Sequence, residues 1–199
     1  MPKVSQGLIE AFRVASVAAF AAFAVPLLLQ RAIGRARGAR ARTRRSAAEC
    51  VPLLANIAAF VVFLAALVLF PASPEGGAAL ISAAVGCFLA VAGAIVIVRS
   101  RMELGTSWSL VPIADAARGF VETGPYRIVR HPIYFGFFLL TAGEALAFAS
   151  WPAFLVLLAG IVPSFVWRAS REERLLQQTF GERYDSYGKR TKMIIPYLF

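Results

Sequence analysis

The chain has little of the chemistry that binds metals or forms disulfides. Its 199 residues include one histidine and two cysteines. Cys50 and Cys87 form no Cys-x-x-Cys pair and lie at the edge and in the interior of apolar runs, so we interpret both as small packing residues. With a single histidine, a metal site built from histidine and cysteine ligands is not expected.

Acidic residues are also scarce, with 11 against 21 lysines and arginines, which gives a formal net charge of +10. A basic balance is typical of nucleic-acid-binding proteins, but the chain carries none of their motifs, and we expect no nucleic-acid partner. The basic residues cluster in residues 31–45, 99–130 and 168–192, whereas the connection 71–77 has none and carries Glu75.

This charge distribution follows the positive-inside rule of membrane proteins. It places the loops at 31–50, 99–132 and 168–199 in the cytoplasm and the N-terminus outside. The basic loops also favour contact with the anionic headgroups of membrane lipids. The arginine- and alanine-rich composition is typical of a prokaryote, so we predict an integral protein of a prokaryotic cytoplasmic membrane.

Apolar residues dominate the chain, at 59% with a mean hydropathy of +0.68, more than a soluble domain could bury. The last two of its apolar blocks adjoin, and one helix through both would be about 52 Å long, against a hydrocarbon core of about 30 Å. Ser150-Trp151-Pro152 therefore marks the turn of a helical hairpin. We predict an all-α polytopic membrane protein with about five transmembrane helices and a cytoplasmic helical tail. The five blocks are residues 8–29, 51–70, 78–98, 133–149 and 151–167.

The first block has the alternative interpretation of a cleaved signal peptide. Its length, its charged residues Glu10 and Arg13, and the arginine run that follows favour a retained helix.

The two halves of the chain differ in chemistry, although we expect one integrated domain. Residues 1–98 carry three apolar helices and are interpreted as a scaffold. In the third of these, Gly86, Ala90 and Gly93 put small residues on one side of the helix, which is typical of close helix packing in lipid. Residues 99–199 hold nearly all the mixed polar and aromatic segments and are interpreted as the catalytic half.

The most distinctive segment is residues 124–136, where an arginine-rich loop meets an apolar run. Pro132 suits a first helical turn, because its missing N–H would be unpaired there. His131 would then lie at the positive end of that helix, beside Arg127 and Arg130. This arrangement attracts anions and is expected to disfavour a protonated imidazole. A plain helix-cap role for His131 is the alternative.

The tail begins with a predicted helix over residues 168–180, which Gly181 would end. Arg168 and Glu172 are four residues apart and share one face. An ordinary surface helix with weak ion pairs is the alternative for this segment. Tyr184 and Tyr187 follow, and they are either ligand-binding or interfacial residues.

Two further residues stand out within the apolar blocks. Glu144 is an acid in the fourth block, a costly position that is often functional, although a place near the hairpin turn in water is equally open. Pro163 is expected to kink the last helix.

The second half resembles the isoprenylcysteine carboxyl methyltransferases, a family of integral membrane enzymes. The matching elements are Gly124-Pro125-Tyr126, Arg130-His131-Pro132-Ile133-Tyr134-Phe135-Gly136, the Arg-x-x-x-Glu-Glu spacing of Arg168, Glu172 and Glu173, and Phe180-Gly181-Glu182-x-Tyr184-x-x-Tyr187, with Ile195-Pro196 near the end. Their shared order and spacing make the combined signal stronger than any single element.

The resemblance implies S-adenosyl-L-methionine as methyl donor, with no metal, and a lipophilic small molecule or lipid as acceptor. It brings Arg168, Glu172 and Glu173 to this site, where their chemistry makes them our candidates for catalysis; the alternative for either glutamate is to pair with the donor ammonium or to orient an arginine. It assigns donor binding to the motif residues before and within the hairpin and in the tail, namely Tyr126, Arg130, His131, Pro132, Tyr134, Gly136, Tyr184 and Tyr187.

The acceptor is the least determined part of this hypothesis. Carboxylate O-methylation is favoured, with a bidentate grip by Arg168. Phospholipid N-methylation or small-thiol S-methylation is the alternative, and either would need a base such as Glu172 or Glu173. A non-enzymatic membrane protein that keeps the hairpin without the chemistry is the rival from another class.

Overall fold

The computed structural model describes residues 6–22, 47–72, 77–105 and 119–198. Within these ranges the regular structure is helical apart from one isolated bridge, which confirms the predicted all-α class. A 3₁₀ turn, Gly124–Arg127, precedes α4, and a π-helical segment, Leu157–Ile161, joins α5 to α6. The helices are α1 (6–22), α2 (Ala47–Leu69), α3 (Gly77–Leu104), α4 (Pro132–Ala147), α5 (Trp151–Val156), α6 (Val162–Phe180) and α7 (Glu182–Arg190).

Among the described residues, three helices are long and apolar enough to cross a membrane: Val51–Leu69, Gly77–Leu104 and the continuous helix Trp151–Phe180. The protein is a membrane protein. The predicted hairpin is present, with α4 as a shorter first arm of 16 residues. The five-crossing topology stays a prediction, because residues 23–29 of the first block lie outside the described ranges, as do the arginines at 31–45 and Glu75.

The hairpin turn is held by its own backbone and by α2. Ala149 adopts a left-handed conformation with φ of 48°. Ser150 caps α5 by accepting a hydrogen bond from the Ala153 N–H, and its hydroxyl donates to the Ala66 carbonyl of α2. Just beyond α2, the Ala72 N–H donates to the Phe148 carbonyl at 3.1 Å. We call this side of the bundle the hairpin end.

Helices α3 and α4 are joined by glycines, and we call this contact the glycine seam. It consists of Gly86 and Gly93 on α3 and Gly136 and Gly143 on α4. A Cβ at Gly143 would lie 2.5 Å from the Ala90 backbone nitrogen, and one at Gly93 would lie 2.5 Å from the Gly136 carbonyl oxygen. Backbone therefore meets backbone, which confirms the predicted close-packing face on α3.

Helix α1 is attached near the hairpin end by polar groups. The Arg13 side chain donates from Nε to the Ala147 carbonyl at 3.0 Å and from Nη2 to the Ala72 carbonyl at 2.8 Å. Ser16 Oγ lies 3.2 Å from Glu144 Oε2, and Glu144 is only 3% exposed. The alternative that placed Glu144 in water is therefore wrong, because α1 covers its carboxylate.

The opposite side of the bundle, residues 119–131 and 181–198, is called the polar end. There the tail returns to the start of α4 through a parallel bridge between Val129 and Lys192. The Arg130 N–H donates to the Lys192 carbonyl at 2.8 Å, and the His131 N–H donates to the Met193 carbonyl at 2.9 Å. These bonds fix the backbone that carries the motif side chains.

Candidate active site

The site lies where the motif preceding α4 meets α6. Pro132 is the first residue of α4, as the sequence predicts, and His131 is the residue before the helix. Gly124 begins the 3₁₀ turn with φ of 56°, where a Cβ would lie 2.6 Å from Glu103 Oε1 at the end of α3. Thr123 Oγ1 donates to the other oxygen of that carboxylate at 2.7 Å. The motif loop is thus tied to α3 on one side and to the tail on the other.

Glu173 is the centre of one half of the site. Its carboxylate accepts hydrogen bonds from Arg130 Nε at 2.8 Å, from Tyr184 Oη at 2.7 Å, and from His131 Nε2, which lies 2.9 Å away. Its side chain is 22% exposed. These bonds bring together residues from the motif, α6 and α7, which the sequence assigns to one site.

Glu172 organises the other half of the site. Tyr134 Oη donates to Glu172 Oε1 at 2.6 Å, a short hydrogen bond to a charged acceptor. Arg168 Nε lies 3.5 Å from the same oxygen, so the predicted pairing four residues apart on one helix is present. With side-chain exposures of 12% and 19%, this pair is not an ordinary surface ion pair.

Aromatic rings line the membrane side of these charges. The rings of His131 and Tyr134 are stacked with centroids 5.5 Å apart, and Tyr134 stacks on Phe165 of α6 at 5.0 Å. The Arg168 guanidinium lies 5.9 Å from the centre of the Tyr134 ring. Trp167 lies on the same helix as Phe165, but its side chain is 42% exposed and points away from this stack.

The charge state of His131 differs from the sequence prediction. Burial disfavours the charged ring, but the hydrogen bonds to Glu172 and Glu173 outweigh it and raise the pKa of His131. Nδ1 lies 3.4 Å from Glu172 Oε2 while Nε2 faces Glu173, so both ring nitrogens have a carboxylate partner. The predicted preference for a neutral imidazole is wrong, because two adjacent carboxylates outweigh the helix end and the neighbouring arginines.

Three tyrosines of the polar end, Tyr126, Tyr184 and Tyr187, are buried and neutral. Tyr187 Oη donates to the Tyr126 carbonyl at 2.7 Å, and all three side chains are less than 8% exposed. Burial and the negative charge of Glu173 raise the pKa of Tyr184, and burial is also the largest cause that raises the pKa of Tyr126 and Tyr187. Tyr184 and Tyr187 are therefore not residues of an exposed interfacial belt.

Gly136 has a packing role that the motif alone does not reveal. A Cβ at this position would lie 2.6 Å from Ile97 Cγ1 and 2.9 Å from the Gly93 carbonyl oxygen on α3. The structure thus places Gly136 in the glycine seam, and it places the buried Pro132 at the start of α4.

Sequence reasoning missed several residues that support the site. Phe120 packs on Phe180, Tyr184 and Tyr187 with ring centroids 5.0–5.4 Å apart. Glu122 lies 2.8 Å from Arg190 on α7. The Arg130 guanidinium also donates to the Gly188 and Thr191 carbonyls. Isolated residues of this kind form no motif, and carbonyl acceptors are invisible in a sequence.

The site combines charges of both signs in a small buried volume. Arg130 and Arg168 supply positive charge, the two glutamates supply negative charge, and His131 lies between the glutamates with a raised pKa. Such a cluster, with stacked rings on its membrane side, can bind a zwitterion that also carries a flat or cationic group.

Comparisons with known proteins identify the family of the chain. The family model described as phospholipid methyltransferase matches residues 81–183, slightly more than half of the chain. The chain belongs to the phospholipid methyltransferase family. The matched region runs from the glycine seam on α3 through both site glutamates.

Two similar proteins are named for one specific reaction, the O-methylation of protein S-isoprenylcysteine. The chain is 32% identical over 49% of its length to a protein-S-isoprenylcysteine O-methyltransferase of Schizosaccharomyces pombe, and the match covers 42% of that protein. It is 29% identical over 57% of its length to protein-S-isoprenylcysteine O-methyltransferase A of Arabidopsis thaliana, covering 58% of that protein. The chain thus spans about half the length of these relatives. The resemblance predicted from the sequence motifs is confirmed.

A solved structure has the same fold. The eukaryotic intramembrane Ras methyltransferase ICMT (isoprenylcysteine carboxyl methyltransferase) matches 73% of this chain and 52% of its own, with a TM-score of 0.50 and 20% identity. At this identity the likeness shows the fold alone.

Proposed function

We propose that this protein is an S-adenosylmethionine-dependent membrane methyltransferase. The observation that carries the proposal is the buried cluster in which Glu172 and Glu173 meet Arg130, His131, Arg168 and Tyr134. Membership of a methyltransferase family gives this cluster its chemical interpretation.

The residues present fit such a donor by charge and shape. Its amino-acid part is a zwitterion, for which Glu172 and Glu173 offer acceptors and Arg130 offers a cation. Its sulfonium is attracted to aromatic rings, and the Tyr134 ring lies directly beside the glutamates. Tyr126, Tyr184 and Tyr187 provide buried neutral hydroxyls, and His131 provides an imidazole whose pKa is raised, all within the same polar end.

The acceptor that suits this site best carries a carboxylate on an apolar chain. When bound, S-adenosylmethionine supplies an electrophilic methyl group, which a carboxylate oxygen attacks in line as sulfur leaves with the bonding electrons. The attack needs no base, so the task of the protein is alignment to about 3–3.5 Å. Arg168 can hold the acceptor carboxylate, because it projects from a membrane helix and its guanidinium is fixed by Glu172.

An amine or thiol acceptor would need a proton acceptor in addition. Glu172 or Glu173 would have to serve, although each already accepts a short hydrogen bond. O-methylation of a lipophilic carboxylate therefore needs fewer changes to the observed network than N- or S-methylation does.

We also infer that the polar end faces the cytoplasm. Among the described residues, exposed basic side chains gather there, including Arg127, Arg183, Lys189 and Arg190. Arg13, near the hairpin end, is instead buried against carbonyl groups. Thiol labelling of single cysteines placed at Arg183 or Lys189, in a background with Cys50→Ser and Cys87→Ser, checks this orientation, and labelling from outside the cell would contradict it.

The function is tested with purified protein in lipid nanodiscs. Calorimetry with S-adenosylmethionine should show binding that His131→Ala and Tyr134→Ala weaken without unfolding the protein. Transfer of labelled methyl to a membrane-lipid extract should then give a product from which mild alkali releases the label as volatile methanol, because methyl esters hydrolyse whereas N- and S-methyl groups stay attached. Alkali-stable label would point to the N- or S-methylation alternative, and absence of donor binding would contradict the proposal.

A further inference from the structure

The buried apolar residues of the long helix Trp151–Phe180 recur with an unusual spacing. Ala153, Leu157, Ile161, Phe165 and Ala169 are four residues apart, and each is at most 4% exposed. In a regular α-helix, four residues overshoot a full turn by about 40°, so four such steps would rotate the row by about 160°. A straight α-helix could not keep this row in one core.

The π-helical segment Leu157–Ile161 compensates for this drift. The Val162 N–H donates to the Leu157 carbonyl, five residues back. A π-bulge takes up one extra residue and so turns the following helix back by about 100°. The remaining drift is about 60°, and all five residues of the row belong to a single core cluster that also contains Tyr134.

Local chemistry stabilises the wide turn where it ends. Pro163 has no N–H, so it cannot make the regular hydrogen bond to the carbonyl of residue 159. The Ser164 hydroxyl donates to the Ile161 carbonyl at 2.8 Å and accepts from Asn56 Nδ2 at 2.9 Å. A polar side chain of α2 therefore braces the junction between the π segment and α6.

We infer that the π segment, with Pro163 and the Asn56–Ser164 hydrogen bond, is a positioning device that sets the rotation of α6. In that rotation Phe165, Arg168 and Glu172 face Tyr134 of α4. Without it the site residues of α6 would turn away by about 100°. The link to catalysis rests on the proposed function, whereas the link to helix rotation does not.

Deletion and insertion of one residue separate this device from a straight helix. In a straight helix, either change rotates everything downstream by about 100° and harms the site equally. If the π segment holds a surplus residue, deletion of Ala159 converts it to α-helix and leaves α6 in place. We expect the deletion variant to keep methyl transfer near the wild-type level, and insertion of one alanine after Ala159 to lower it by about 100-fold.

Replacing Pro163 and Ser164, which stabilise the π segment, gives a rescue test. The double variant Pro163→Ala with Ser164→Ala allows the segment to straighten with its surplus residue still present, so we expect turnover to fall more than donor affinity. Deletion of Ala159 in that background should restore turnover. If the deletion does not restore turnover, Pro163 and Ser164 contribute to stability in general and do not set the rotation of α6.

A cysteine pair reports the rotation without any enzymatic assay. In a background with Cys50→Ser and Cys87→Ser, the pair Phe60→Cys and Phe165→Cys replaces rings whose centroids are 6.0 Å apart across α2 and α6. A short thiol crosslinker should join this pair in the native-length and deletion chains and not in the insertion chain.

A second pair upstream of the π segment shows whether each chain is folded. The ring centroids of Phe60 on α2 and Phe137 on α4 are 5.6 Å apart, so cysteines at these two positions should crosslink in all three chains. Loss of the downstream pair in the deletion chain, or its retention in the insertion chain, would overturn the inference. The expected crosslinks without methyl transfer in any chain would overturn the proposed function alone.

Discussion

Replacing Tyr134 by phenylalanine removes a single hydroxyl group, which donates to Glu172 and also interacts with Arg168. The ring remains, so its stacking on Phe165 and His131 is kept and no cavity forms. What is lost is the 2.6 Å bond to Glu172, whose other partners, His131 and Arg168, lie at 3.4 and 3.5 Å. Glu172 then holds the Arg168 guanidinium less firmly.

The size of the effect follows from the kind of bond. A hydrogen bond to a charged, largely buried group contributes about 1.5–3 kcal/mol. If that energy is used to orient Arg168 in the transition state, its loss lowers kcat by about 10- to 150-fold. Donor affinity should fall less, because Glu172 is still present and charged.

Calorimetry for donor Kd, labelled-methyl kinetics for kcat, and thermal unfolding would be measured on the same nanodisc preparation. Tyr197→Phe is the matched control, because that side chain is 88% exposed near the end of the described chain. Wild-type turnover in Tyr134→Phe would refute the role given to this bond, and an equal loss in the control would mean that the assay reports something else.

Three further predictions concern charge, pH and packing. Arg168→Ala and Glu172→Gln should depress kcat more than donor affinity, and unchanged turnover in both would leave them as structural ion pairs. Because its folded pKa is raised, His131 stabilises the fold fully below its unfolded pKa of about 6.5 and loses this contribution as the pH rises through the folded value. The difference in Tm between wild type and His131→Ala should therefore shrink from pH 6 to pH 9, and a pH-independent difference would contradict the assignment. Gly143→Val should destabilise the protein by about 1–3 kcal/mol or more, because the new side chain meets the backbone of α3, whereas Gly77→Ala, with nothing within 4 Å, should be harmless. Equal unfolding temperatures for these two variants would show that the seam can open.

Much of the architecture follows from the order of apolar residues. The hairpin turn at Ser150 and the small-residue face at Gly86, Ala90 and Gly93 are both present, because helix length and close approach depend on residue type and spacing. The π segment was not anticipated, although the four-residue recurrence from Ala153 to Ala169 is visible in the sequence. Pro163 suggested a kink, and what the structure has beside it is a wider turn.

The residues of the candidate site can be predicted from the motifs, but their hydrogen-bond and ion-pair partners cannot. The Glu-Glu spacing did not indicate that Glu173 meets Arg130, His131 and Tyr184 while Glu172 meets Tyr134 and Arg168. The prediction that a protonated His131 is disfavoured is wrong, because the groups that raise its pKa do not belong to its own helix and loop. Its carboxylate partners come from α6, some 40 residues along the chain.

The glycine seam changes what a match to the family motif means. Gly136 closes the His-Pro-x-Tyr-x-Gly element, yet it contacts α3 and not the charged cluster. The motif thus combines two independent requirements. One is the close packing of α3 on α4 through glycines, and the other is the set of ionisable groups at the polar end. A homologue that kept the glycines and lost Glu172 and Glu173 would satisfy the first requirement alone. Under the proposed function, such a protein would keep the scaffold without methyl transfer, and the two glutamates would be the positions that distinguish it from an enzyme.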